Sequence, residues 1–188
     1  GTDFFLAIDV AASQFYSEGK YSLDGEILDA RSMIDRLARW VERYPIISIE
    51  DGLAENDWAH WPILKEAIGR QTLVLGDDLL CTNPDRIRRA IDHNAANALL
   101  LKVNQAGTLT EAAEGYLLAR SAGWPVTVSV RSGETEDTWA ADLAVGWSAD
   151  QFKNGSITQS ERLAKYNRLL EIETITNWPV CSLNAQNS

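Results

Sequence analysis

The sequence predicts an α/β fold built on parallel strands. Two features carry that reading. Short β-rich runs alternate with segments of helical period six times over, and the connections between them are short, which is the pattern of βα units sharing one sheet. At 188 residues with 45% hydrophobic content, the chain is also long enough for one domain with a sizeable core. From the alternation alone the sheet is either doubly wound or closed into a barrel.

The elements follow in order. The strand candidates are Phe4 to Asp9, Ile46 to Glu50, Leu73 to Asp77, Ala98 to Lys102, Val126 to Val130 and, with a weaker pattern, Asp150 to Lys153. Between them, Ile34, Leu37, Ala38 and Val41 recur at helical spacing, as do Ile63, Leu64, Ala67 and Ile68. Helix starts are marked by Asn83-Pro84 before Asp85, by Thr108 with Glu111 three residues on, and by Thr158 with Glu161 three residues on. The first unit carries an insertion, since the run from Phe15 to Tyr21 reads as aromatic strand ends around a Glu18-Gly19 turn, a hairpin ahead of the first helix. Trp40, Trp58, Trp61, Trp139 and Trp147 fall in helical segments, where they are expected to pack helices onto the sheet. Residues 174–188 lose the periodicity and read as an irregular extension beyond a folded portion spanning 1–173.

A formal charge of −10 argues against a surface for nucleic acid or an anionic membrane, since both would repel it. An anionic ligand then needs a local basic site or a bound cation. Cys81 and Cys181 are the only cysteines and stand in no metal-ligand spacing, so the expected setting is reducing and cytoplasmic. No apolar run approaches the length of a membrane span, and the first residues lack the basic region of a signal peptide. The start at Gly1, without methionine and almost directly into an apolar run, suggests that upstream sequence lies elsewhere.

Five of the six strand candidates end in a charged residue, namely Asp9, Glu50, Asp77, Lys102 and Lys153, whereas composition alone would give about one in four. Each is in phase with residues two and four earlier, such as Ser48 and Ile46 before Glu50, so each shares a face with them. In a barrel such residues converge at the C-terminal mouth, where barrel enzymes keep their active sites. Asp9, Glu50 and Asp77 offer only hard oxygen donors, which suit Mg²⁺ better than zinc, copper or iron. Lys102 and Lys153 would then face the metal, and a lysine beside other cations releases its proton more readily and can serve as a base. His60 and His93 lie away from strand ends and read as surface residues.

Several longer motifs then become informative. They are Asp9-Val10-Ala11-Ala12-Ser13, Ser48-Ile49-Glu50-Asp51, Gly76-Asp77-Asp78-Leu79 and Leu100-Leu101-Lys102-Val103-Asn104-Gln105, followed by the stretch from Arg131 to Asp137 and that from Ser160 to Asn167. This ordered string resembles enolase, phosphopyruvate hydratase, from Asp9 to about Glu173. The resemblance implies a partial TIM-type (β/α) barrel, about six βα units of an enolase-like C-terminal domain. It implies a glycolytic, Mg²⁺-dependent lyase that dehydrates 2-phosphoglycerate to phosphoenolpyruvate. Asp9, Glu50 and Asp77 would ligate Mg²⁺, Lys102 would remove the C2 proton, Lys153 would hold the substrate carboxylate, and Arg131 with Ser132 would hold the phosphate.

The chain departs from the family pattern at the residue before Arg131, where the family's histidine is Val130, an apolar group that cannot donate a proton. Gly52, Asn154 and Gln159 are smaller departures, from the proline, threonine and arginine usual there. The family's N-terminal domain, first two barrel strands and hydroxide-assisting glutamates would lie before Gly1. Six strands would leave two edges for an upstream half, a second copy or the tail to cover. Two alternatives to the lyase therefore stand. One is a non-catalytic enolase-like module acting as a binding or scaffold protein, which Val130 favours. The other is a related Mg²⁺-dependent elimination on a different acid, against which the retained Arg131-Ser132 pair weighs.

Overall fold

The structure, a computed structural model, describes residues 4–178. It divides into two compact units, the first ending at Val126 and the second beginning at Thr127. Among the described residues they hold six parallel strands with helices in between, the α/β class expected and the βα repeat of a partial TIM-type barrel.

In the first unit, β1 (Leu6–Asp9) leads into a small antiparallel sheet of β2 (Tyr16–Ser17), β3 (Lys20–Leu23) and β4 (Glu26–Leu28), followed by α1 (Ala30–Arg43). The βα repeat continues with β5 (Ile46–Glu50), α2 (Trp61–Ile68), β6 (Leu73–Gly76), α3 (Pro84–Asp92), β7 (Ala98–Leu101), the short α4 (Val103–Ala106) and α5 (Leu109–Ser121). Strands β1, β5, β6 and β7 are parallel neighbours in that order. Every residue of β7 is buried, as expected for a parallel strand covered on both faces. On one face Leu75 packs with Ala98 and Leu100, and Leu73 joins them from the edge of this cluster.

The helices of this unit dock through the stripes that the sequence shows. Helix α1 buries Met33, Ile34, Leu37 and Val41, and Asp29 caps it by accepting from the Ser32 backbone N–H at 2.8 Å. Each such aliphatic side chain, once fully buried, contributes about 1.5–3 kcal/mol. Asn83 and Thr108 cap α3 and α5 as their spacing predicts. In α2, Trp61, Leu64 and Ile68 are buried, while Ala67 is exposed.

The second unit holds β8 (Val126–Ser129) from its second residue on, α6 (Trp139–Gly146), β9 (Gln151–Lys153) and α7 (Ser160–Thr176), with β8 and β9 parallel. Here Thr158 is not the expected cap. Helix α7 begins two residues further on with Gln159 at the cap position, and the Thr158 hydroxyl bonds to that of Ser156. The same helix continues to Thr176, beyond the expected loss of order at Thr174, and residues 179–188 of the expected extension lie outside the described residues.

Other differences have local causes. The expected hairpin gains a third strand because Asp24 and Gly25 both adopt positive φ and make a second tight turn. Trp61 is fully buried and donates through Nε1 to the Ala54 carbonyl, but Trp139 is largely exposed, and Trp58 lies in a turn under the guanidinium of Arg89. His60 is half-buried rather than on the surface, because its Nδ1 lies 2.6 Å from Asp57 Oδ1. Among the described residues no helix is long and apolar enough to cross a membrane.

Candidate functional site

In the first unit the parallel register sets the acidic strand ends. Asp9 and Glu50 are the last residues of β1 and β5 and pair directly in register. Asp9 is exposed and Glu50 is buried. One strand further, Glu50 pairs with Leu75, so Asp77 stands two residues higher and in the same phase. Asp77 is the first residue beyond β6, and it too is buried. On β7 the same phase runs through Ala98 and Leu100 to Lys102, the residue that follows the strand and caps α4.

Lys102 and Asp77 meet. The Lys102 ammonium donates to Asp77 Oδ2, and both side chains are about nine-tenths buried. Gln105, one turn along α4, donates from Nε2 to Asp77 Oδ1 at 2.7 Å. Its Oε1 accepts from the Thr82 hydroxyl at 2.8 Å, and that hydroxyl oxygen accepts from the Lys102 backbone N–H at 2.9 Å. Asp77, Lys102, Thr82 and Gln105 thus close a ring of hydrogen bonds. The loop that brings Thr82 into it is strained, since Cys81 and Thr82 both adopt left-handed φ, at a cost of roughly 1–3 kcal/mol each. Gly76 lets that loop fold back over the strand end, because a Cβ there would lie 2.5 Å from Leu80 Cγ.

Asp51 is the residue that sequence reading passed over. It is buried, adopts a left-handed φ of 44°, and its carboxylate accepts the backbone N–H groups of Asp77 and Asp78 at 3.0 and 2.7 Å. Burial pushes its carboxyl up to about 7; the two backbone donors act against that, and the neighbouring Asp77 and Asp78 carboxylates add to it. Its signal was present in the Glu50-Asp51 pair, but strand phase assigns only one of two adjacent acids to the site face.

Carboxylate oxygens of Asp51, Asp77 and Asp78 lie within 4.8 Å of one another, close enough for the three to hold a metal ion. Asp77 is common to this group and to the expected set of Asp9, Glu50 and Asp77. All of these donors are hard carboxylate oxygens, which fit a cation such as Mg²⁺.

In the second unit, Arg131 and Ser132 sit on the exposed loop after β8, and Lys153, half-buried, ends β9. Val130 is half-buried, and its N–H donates to the Lys153 carbonyl at 3.3 Å. A cleft of about 830 Å³ in this unit is lined by Phe152, Leu169, Leu170 and Trp178 among others. Its walls are mainly apolar and include none of the charged strand ends or loop residues above, so size alone does not mark the chemistry.

A strand-helix repeat of TIM type with carboxylates and a lysine at successive strand ends defines a protein of the (β/α)-barrel class. Comparison with known families matches residues 1–178 to the one described as Enolase, C-terminal TIM barrel domain. The chain belongs to that family.

Proposed function

We propose that the chain carries an enolase-type lyase site for the Mg²⁺-dependent dehydration of 2-phosphoglycerate to phosphoenolpyruvate, in a cytoplasmic setting. The observation that carries this reading is the buried contact of Lys102 with Asp77 at neighbouring strand ends, beside Glu50 and Asp9 in register. Asp9, Glu50 and Asp77 would hold the cation, which when bound draws charge from the substrate carboxylate and so favours loss of the C2 proton. Lys102 takes that proton on Nζ as the neutral amine, once its ammonium has released a proton to solvent and left Asp77. Gln105 holds the Asp77 side chain, and Thr82 holds Gln105 and the Lys102 backbone, while it does so. Lys153 holds the carboxylate, and Arg131 with Ser132 holds the phosphate. Loss of the C3 hydroxyl as water requires one further proton, which Val130 cannot give.

An eight-stranded barrel has two strands more than the six among the described residues, and a second copy or an N-terminal half would supply them. The test is phosphoenolpyruvate formation with and without Mg²⁺ for the wild type and Lys102→Ala. The expected result is a loss of about 10²–10⁴-fold in the variant. Equal signals from the two would contradict the assignment. Val130 favours a second reading, a non-catalytic module that binds or scaffolds, for which the wild type would bind Mg²⁺ yet form no product at all.

A further inference from the structure

The second unit contains a buried cation that the proposed reaction leaves unused. Lys165, on α7, has no exposed surface, and its ammonium is fully engaged. It donates to the carbonyls of Thr135 at 2.9 Å and Glu161 at 3.1 Å and pairs with Glu134 Oε2 at 3.2 Å. The other oxygen of Glu134 accepts the backbone N–H of Arg131 at 3.3 Å. Arg162, one turn earlier on α7 and also buried, donates from Nη2 to the Arg131 carbonyl at 2.9 Å. Both peptide groups of Arg131 are therefore held from below while its side chain and that of Ser132 point outward, exposed.

This arrangement is more than a loop anchor. A fully buried lysine is costly unless paired and hydrogen-bonded, and here its pairing runs through a single carboxylate to the backbone of one exposed arginine. Arg162 is fixed in turn, since its side chain lies where a Cβ at Gly155 would come within 3.3 Å of its Nε, and the Asn154 side-chain amide donates to its carbonyl at 2.8 Å. Fixing the backbone of a binding residue in advance removes the ordering cost that a mobile loop would incur on binding.

We propose that Lys165 and Glu134 are positioning residues that hold the Arg131–Ser132 loop ready for a phosphate group. The inference rests on the reading of Arg131 and Ser132 as the phosphate subsite. Its test is the affinity of the full chain for inorganic phosphate, followed by NMR titration of the wild type, Arg131→Ala, Glu134→Ala and Lys165→Met, each below its unfolding temperature. Saturable binding by the wild type is expected, with affinity lost in Arg131→Ala and reduced about 10-fold in Glu134→Ala and Lys165→Met, although both retain Arg131 and Ser132. A purely structural role would lower the melting temperature and leave the affinity of the folded protein unchanged. That result, with Arg131→Ala still impaired, would overturn the positioning role alone. No saturable binding by the wild type, or wild-type affinity in Arg131→Ala, would overturn the phosphate subsite and the positioning role with it. If Lys165→Met fails to fold, Glu134→Ala, whose site is partly open to solvent, decides the question.

Discussion

The two units hold their candidate site residues by opposite means. In the first, the groups themselves are mostly buried at strand ends, and a carboxylate does the holding, since Asp51 accepts the N–H groups of Asp77 and Asp78. In the second, Arg131 and Ser132 are exposed on a loop, and cations do the holding, since Arg162 and Lys165 donate to the carbonyls of Arg131 and Thr135. A strand end is already placed by the ladder beside it and needs only its following turn secured. A loop has no ladder, so each peptide that must stay put needs its own partner.

Lys165→Met should break the second arrangement most severely. It removes three donors and leaves Glu134 without its cation, an expected loss of about 3 kcal/mol, at the low end for a buried pair because Glu134 retains some solvent contact. Urea unfolding would read the loss, and hydrogen exchange should speed up in residues 131–135 and not in 77–83. Asp51→Ala should do the reverse. Two backbone donors lose their acceptor and alanine must adopt a left-handed φ, while relief of a buried charge offsets part of the cost, giving about 2 kcal/mol with faster exchange at Asp77 and Asp78. If both variants loosened both loops alike, the contrast between the units would not hold.

The smallest effect sharpens the comparison within the first unit. Tyr21 donates to Asp57 Oδ2 at 2.8 Å and accepts from the Ala54 N–H at 3.1 Å, tying the small sheet to the turn after β5. Tyr21→Phe leaves both partners short of a bond and should cost about 1–2 kcal/mol. Burial also pushes the Tyr21 hydroxyl well above its ordinary range. The folded chain therefore keeps a proton that the unfolded chain gives up near pH ~10, so this contribution is complete below that pH and declines as pH rises past it. Unfolding midpoints across that range should fall more steeply for the wild type than for Tyr21→Phe.

What could be read from the sequence follows the same division. The ends of β5, β6 and β7 came out within one residue because apolar runs bounded by charge mark buried parallel strands, and the caps Asn83 and Thr108 came out because each acts on residues two or three positions away. Asp51, Thr82 and Gln105 did not, since their partners lie 20 to 28 positions distant and strand phase does not select them. Lys165 was hidden for a like reason. It reads as a surface lysine until α7 is laid against a loop 30 residues earlier. The third strand of the small sheet was legible in Asp24-Gly25, a turn signal overshadowed by the aromatic run before it.

Proton abstraction by Lys102 is the central claim, and it can be separated from loss of hydroxide, the step for which Val130 is unsuited. Incubating 2-phosphoglycerate with the chain and Mg²⁺ in D₂O, and following the C2 proton by NMR, measures abstraction whether or not water leaves. The account predicts Mg²⁺-dependent wash-out of that proton by the wild type and none by Lys102→Ala. Equal wash-out by both, or wash-out indifferent to Mg²⁺, would contradict it.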